Sequence, residues 1–248
     1  MTLEEFFRDV PSVAVALSGG VDSAWLLHEA VRLCPRTIAY CVRSPFQHGG
    51  ELPDAIRVAE KLGATLRILD ADPLSVPEIV ANPANRCYHC KKVILATILA
   101  AAREDGVAMV AEGSNASDDA GDRPGIRALR ELQVRSPLRE CGLTKTELRR
   151  LSREAGLFTW DKPAYACLAT RIPTGEVITA EKLAAVEAAE QYLFSQGFTD
   201  FRVRTREGRA KLQLPADQME TLLRSRTAIL GELKRYFSEV TLDLEARP

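Results

Sequence analysis

"LSGGVDSAWLL", residues 17–27, is the stretch whose reading decides the fold. It follows a short apolar run, Val13–Leu17, that reads as a strand, and it opens a segment with helical spacing, "SAWLLHEAVRL". Its glycines therefore sit at a strand-to-helix turn. Glycine tolerates positive φ and close approach, so the backbone N–H groups of Ser18, Gly19, Gly20 and Val21 can turn inward and hold an anion at the helix N-terminus. The loop has neither the spacing nor the lysine of a Walker A sequence, which excludes a motor-type P-loop.

Working outward, "TIAYCV" (37–42), "TLRIL" (65–69) and "VAMVAE" (107–112) read as further strands. Between them, "ELPDAIRVAEKLG", which ends at Gly63, and "KKVILATILAAARE" carry helical spacing. Strand and helix in alternation predict an α/β fold, a doubly wound parallel sheet with helices on both faces and the ligand site at the strands' carboxyl ends. A helix over "TKTELRRLSREAG" opens with a capping box from Thr144 to Glu147. After "RIPTGE" the pattern becomes helix, strand "FRVRT", strand "RAKLQL", one helix over "DQMETLLRSRTAILGELKRYF" and a last strand "VTLDLE". That pattern predicts a small α+β domain, with the chain divided as 1–171 and 172–248.

Composition bounds the setting. The 248 residues suffice for one large core with a smaller one attached, and the net charge of -1 provides no basic field for general nucleic-acid capture. The first apolar run is far too short for a signal segment or a membrane span. A cytoplasmic protein with no membrane partner is expected. In that reducing compartment the six cysteines are not expected to form structural disulfides.

Three further clusters carry polar chemistry. "EGSNASDDAGDRPG" (112–125) follows a strand and gathers Asn115, Asp118, Asp119, Asp122 and Arg123 at the predicted ligand edge of the sheet, where composition alone would describe a solvated turn. "WDKPAYACLATRIPTG" (160–175) sets Cys167 four residues before Arg171, where a thiolate could be favoured, although a lone cysteine among alanines is more often a buried small hydrophobe. "NRCYHCKK" (85–92) places Cys87 and Cys90 at i and i+3, able to reach one metal. Cys34, Cys41 and Cys141 read as packing residues.

The loop resembles the SGGxDS pyrophosphate loop of the N-type ATP pyrophosphatases, which cleave ATP to AMP and pyrophosphate. That resemblance implies ATP, with Asp22 helping to hold Mg2+ and Ser23 adding a hydroxyl to the phosphates. Taken in order, "SGGVDS", "NRCYHCKK", "EGSNASDDAGDRPG", "RSPL" and "CLATRIPTG" look like the LarE family of ATP-dependent sulfur transferases, over nearly the whole chain. The resemblance implies adenylation of a carboxylate of pyridinium-3,5-biscarboxylic acid mononucleotide and its conversion to a thiocarboxylate, a step toward a nickel-pincer nucleotide cofactor. It implies that Cys167 gives up its sulfur and becomes dehydroalanine, and that Arg171, Glu190, Arg202 and Arg204 contact substrate or phosphate. Alternation along the strand would point Arg202 and Arg204 the same way.

Cys87, Cys90 and Cys167 together suit a 4Fe-4S cluster with one iron open, similar to a LarE subgroup in which the cluster carries an extra sulfide. Zinc, which would want a fourth ligand, and a redox CxxC pair are the alternatives. Relatives form hexamers, so a homo-oligomer acting on a small nucleotide, without nucleic acid, is expected. The competing functions are tRNA thiolation, opposed by the near-neutral charge and the lack of a separate RNA-binding module, and a non-catalytic nucleotide-binding regulator.

Overall fold

A computed structural model describes residues 1–118, 124–163 and 166–247. The chain divides into two compact units. One comprises Met1–Ser44, Gly50–Pro73 and Asn85–Ala164; the other comprises Pro45–Gly49, Leu74–Ala84 and Tyr165–Pro248.

The first unit runs α1 (Leu3–Phe7), β1 (Val13–Ala16), α2 (Val21–Leu33), β2 (Thr37–Arg43), α3 (Glu51–Leu62) and β3 (Thr65–Asp70). After α4 (Pro77–Val80), which belongs to the second unit, it resumes with α5 (Arg86–Glu104), β4 (Met109–Ala111), α6 (Pro124–Glu131), α7 (Pro137–Glu140) and α8 (Lys145–Glu154). Its sheet has the order β3-β2-β1-β4 with every pairing parallel.

Side chains alternate across the sheet, as strand geometry requires. Val13, Val15, Ala39 and Cys41 join one apolar cluster with Leu27 of α2 and Val58 of α3. Ala14, Ile38, Tyr40 and Val42 join a second cluster with Leu95 and Ile98 of α5. Both faces are thus covered, which is the doubly wound α/β arrangement expected from sequence. The strand order turns back between β1 and β4, so their carboxyl ends border the crevice where such sheets take ligands.

The second unit contains α4, α9 (Ala180–Ser195), β5 (Arg202–Arg206), β6 (Arg209–Gln213), α10 (Ala216–Arg224), α11 (Arg226–Leu233) and β7 (Glu239–Leu242). β5 and β6 form an antiparallel hairpin and β7 runs parallel to β6, making the small α+β fold. The single long helix expected after β6 is instead two. Ser225, at φ -91° and ψ 6°, closes α10 and opens α11, because those dihedrals leave the helical range. Asn82 is fully buried and ties its segment into this unit: its Nδ2 donates to the carbonyls of Pro173 (2.7 Å) and Glu176 (3.1 Å), and its carbonyl accepts from Gly175 N (2.8 Å).

Candidate functional site

β1 ends at Ala16 and α2 begins at Val21, which leaves the glycine loop between them at the sheet edge. Gly19 has φ +75°, and a Cβ there would lie 2.7 Å from Glu51 O and 2.9 Å from Ala55 N. Only glycine fits, on both conformational and steric grounds. Ser23 Oγ receives the N–H of Ser18 at 3.1 Å, lies 3.1 Å from Ser18 Oγ, and donates to Gly20 O at 3.2 Å. The Ser23 hydroxyl and the Ser18 amide are therefore spent on shaping the loop. The N–H groups of Gly19, Gly20 and Val21 make no hydrogen bond among the described residues, as at an uncapped helix start.

Asp22 lies in the first turn of α2. Its Oδ2 accepts from Lys145 Nζ at 2.7 Å, while its Oδ1 is buried with no partner. Burial raises the Asp22 pKa, Lys145 pulls it down, and Asp118 pushes it up again. Asp118 reaches this neighbourhood through a turn: its carboxylate accepts from Asn115 N at 2.9 Å, and Asn115 Oδ1 accepts from Ser117 N at 2.8 Å. Asn115 is 2% exposed, whereas Ala116 and Ser117 after it are exposed, so the turn is anchored on one buried polar side chain. Asp119, Asp122 and Arg123 lie outside the described residues.

Several groups at this loop had no local signal in the sequence. Lys145 starts α8, positioned by the Thr144–Glu147 capping box. Lys162 Nζ bonds Asp54 and approaches Gly19 O at 3.5 Å, and burial lowers its pKa. Arg149 fixes that segment by donating to the carbonyls of Trp160 (2.7 Å) and Lys162 (2.9 Å). Buried Glu112 accepts from Ser136 Oγ (2.6 Å), from Ser114 N and Oγ, and from Lys91 (3.2 Å). Burial would raise its pKa, but Lys91 and these hydrogen bonds outweigh burial and leave it lowered. A Cβ on Gly113 would sit 2.9 Å from Ser23 N, so the strand-end loop passes directly over the start of α2.

In the second unit Cys167 is half-buried and precedes a short 3-10 turn, Leu168–Arg171. Its carbonyl accepts from Thr170 N (3.0 Å) and Thr170 Oγ1 (2.7 Å), and Leu168 N donates to Phe46 O (2.8 Å). Arg171 and Glu190 are 2% and 1% exposed. They form a bidentate pair, Nε–Oε1 2.8 Å and Nη2–Oε2 3.0 Å. Arg171 also donates to Ala166 O (3.1 Å), and Glu190 Oε1 accepts from Val203 N (2.9 Å). The pair thus joins the Cys167 turn to β5.

Arg202 and Arg204 lie on one face of β5, with Val203 buried between them. Arg202 donates to Phe201 O at 2.6 Å, and its pKa is lowered by burial and by the nearby Arg171 and Arg247. Arg204 donates to Thr170 O at 3.0 Å.

Cys87 and Cys90 occupy the first turn of α5, Cys87 exposed and Cys90 half-buried, in the first unit; Cys167 belongs to the second. No group of three or more His, Cys, Asp or Glu able to hold a metal ion occurs among the described residues. Cys34 and Cys41 are buried, and burial pushes the Cys34 thiol up to about 11. No described helix is long and apolar enough to cross a membrane.

No protein-family model matches the chain. It is similar to an uncharacterized protein of Synechocystis, 38% identical over 98% of this chain and 92% of that one. It is also 34% identical to the pyridinium-3,5-bisthiocarboxylic acid mononucleotide synthase of Lactiplantibacillus plantarum, covering 98% of this chain and 89% of the other. An uncharacterized Methanocaldococcus jannaschii protein is 27% identical over 98% of this chain and 93% of its own length. With a similarity of that level running end to end over the glycine loop, the Cys167 turn and the arginine strand, the chain belongs to the LarE family of sulfur transferases.

Proposed function

We propose that the chain is an ATP-dependent, AMP-forming sulfur transferase that converts a carboxylate of pyridinium-3,5-biscarboxylic acid mononucleotide to a thiocarboxylate. The observation that carries the activation half is the glycine loop, with open amides at Gly19, Gly20 and Val21 beside the orphaned Oδ1 of Asp22. The relative whose name is a mononucleotide synthase supports a small-molecule substrate over tRNA, and an enzyme over a regulator.

A carboxylate is a poor electrophile. Its oxygen attacks the α-phosphorus of ATP, pyrophosphate departs, and the acyl-adenylate then carries AMP as a good leaving group. The loop amides and the N-terminus of α2 hold phosphate oxygens. The Asp22 Oδ1, buried and unmatched, fits a magnesium ligand, with Asp118 near enough to add charge; bound Mg2+ would neutralise phosphate charge there. Lys145 and Lys162 supply fixed positive charge at the loop.

Cys167 supplies the sulfur in this reading. Its Sγ attacks the acyl carbon and displaces AMP; loss of the Cys167 Cα proton then breaks the Cβ–S bond, leaving thiocarboxylate and dehydroalanine. The Arg171–Glu190 pair positions this turn and Arg202 and Arg204 hold the substrate phosphate. The paired thiols at the start of α5 favour a second reading, a cluster that delivers sulfide.

Cys167→Ala should abolish sulfur transfer while leaving substrate-dependent ATP–pyrophosphate exchange largely intact, and loss of both would sink the assignment. Mass spectrometry after one turnover should show Cys167 lighter by hydrogen sulfide. Unchanged mass with continuing turnover, and iron and sulfide in anaerobically purified protein, would support the cluster.

A further inference from the structure

The β5–β6 hairpin carries more cations than the proposed phosphate clamp uses. Across the antiparallel pair Arg204 faces Lys211 and Arg206 faces Arg209. Val203, Thr205, Ala210 and Leu212 are buried, so these four cations share the opposite face. Like charges directly opposite one another destabilise a sheet. Two consecutive cationic rungs are a liability unless something negative meets them.

The protein meets them in part. Lys211 bonds Asp243 at 2.8 Å and Arg209 approaches Glu239 at 3.6 Å. Arg204 finds only neutral acceptors, Gln213 Oε1 at 2.6 Å and Thr170 O at 3.0 Å. Arg206 has no carboxylate partner among the described residues. The face is also concave: a cavity of about 820 Å³ is lined by Arg204, Arg206, Arg209, Lys211 and Glu239. That volume falls within the roughly 300–1,000 Å³ of small-molecule sites. The register is fixed by the two-residue turn at Glu207 and Gly208, both in the left-handed region at φ 52° and 74°.

We propose that the Arg206–Arg209 rung is a second anion subsite, which takes a carboxylate of the ligand whose phosphate is held at Arg202 and Arg204. Two residues along a strand advance about 7 Å, so the ligand presents two anionic groups at least that far apart. A mononucleotide with a carboxylate on its ring does so; one with a neutral amide does not. For a substrate with two ring carboxylates, the one not being activated is the one held here. The identity of the ligand rests on the proposed function; the subsite itself rests on the charged face.

The test uses the full chain and isothermal titration with nicotinic acid mononucleotide and nicotinamide mononucleotide. Wild type should bind the acid at least roughly tenfold tighter than the amide, the scale of one charge-assisted contact. Arg206→Gln/Arg209→Gln, whose exposed side chains leave the fold intact by circular dichroism, should bind both alike and at the amide's affinity. Arg202→Gln should weaken both equally. Equal binding by wild type, or discrimination that survives the double change, overturns the subsite. If wild type binds neither mononucleotide, the proposed substrate class fails, and the subsite is judged by titrating inorganic phosphate against the arginine Nε–Hε resonances. Movement of Arg206 and Arg209 upholds it and stillness overturns it.

Discussion

Asp22 is held above the ordinary carboxylate range mainly by burial, against the pull of Lys145. A carboxyl whose pKa is raised on folding adds stability below its unfolded value and loses that contribution as pH rises through the folded one. Above its unfolded value Asp22 therefore weighs against the fold. Asp22→Asn should raise the thermal midpoint at pH 7–8, with the gain vanishing below about pH 3.8, the ordinary aspartate value. It should also cut ATP–pyrophosphate exchange by roughly a hundredfold or more, if Asp22 serves the metal. Arg171 and Glu190 test the opposite case, a buried and fully engaged pair. Arg171→Met should cost about 3–5 kcal/mol in urea unfolding, and Arg171→Met with Glu190→Leu much less, since no charge is then left buried alone. Gly19 was legible because the positive φ that calls for glycine is a local constraint. Lys145 and Lys162 were not, since each lies more than a hundred residues along the chain from its partner, Asp22 or Asp54, and lysine has no distinctive spacing.

Elements were readable where their ends are chemically marked. Thr144 and Glu147 form the predicted capping box, and Gly63 closes α3 in the left-handed region at φ 62°. Thr144→Ala should cost about 1 kcal/mol and loosen Lys145, the first residue of α8, which chemical denaturation would register. The break between α10 and α11 was hidden, since neither glycine nor proline marks Ser225 and the apolar spacing runs through it. At the β5–β6 turn Glu207 occupies a left-handed position that glycine or asparagine takes more readily. Glu207→Asn should stabilise the protein by about 0.5 kcal/mol without changing the hairpin register, measurable as a higher denaturant midpoint.

At the scale of the molecule, alternation of strands and helices was enough to give the parallel sheet and its two covered faces. The membership of residues 45–49 and 74–84 in the second unit was not readable, because their ties are to groups far along the chain. Asn82 meets the carbonyls of Pro173 and Glu176, and Phe46 O accepts from Leu168. A fragment of residues 165–248 should accordingly lack native dispersion in its amide NMR spectrum, since it leaves those groups unmatched. Chains emerge from the ribosome N-terminus first, at roughly 5–20 residues per second. Residues 45–49 and 74–84 are therefore made early and must wait for the C-terminal stretch that they join. The glycine-loop unit is complete in sequence by Ala164, before most of the unit bearing Cys167 exists. Synthesis thus imposes an order of assembly in which the unit bearing the glycine loop is finished before the unit that bears Cys167.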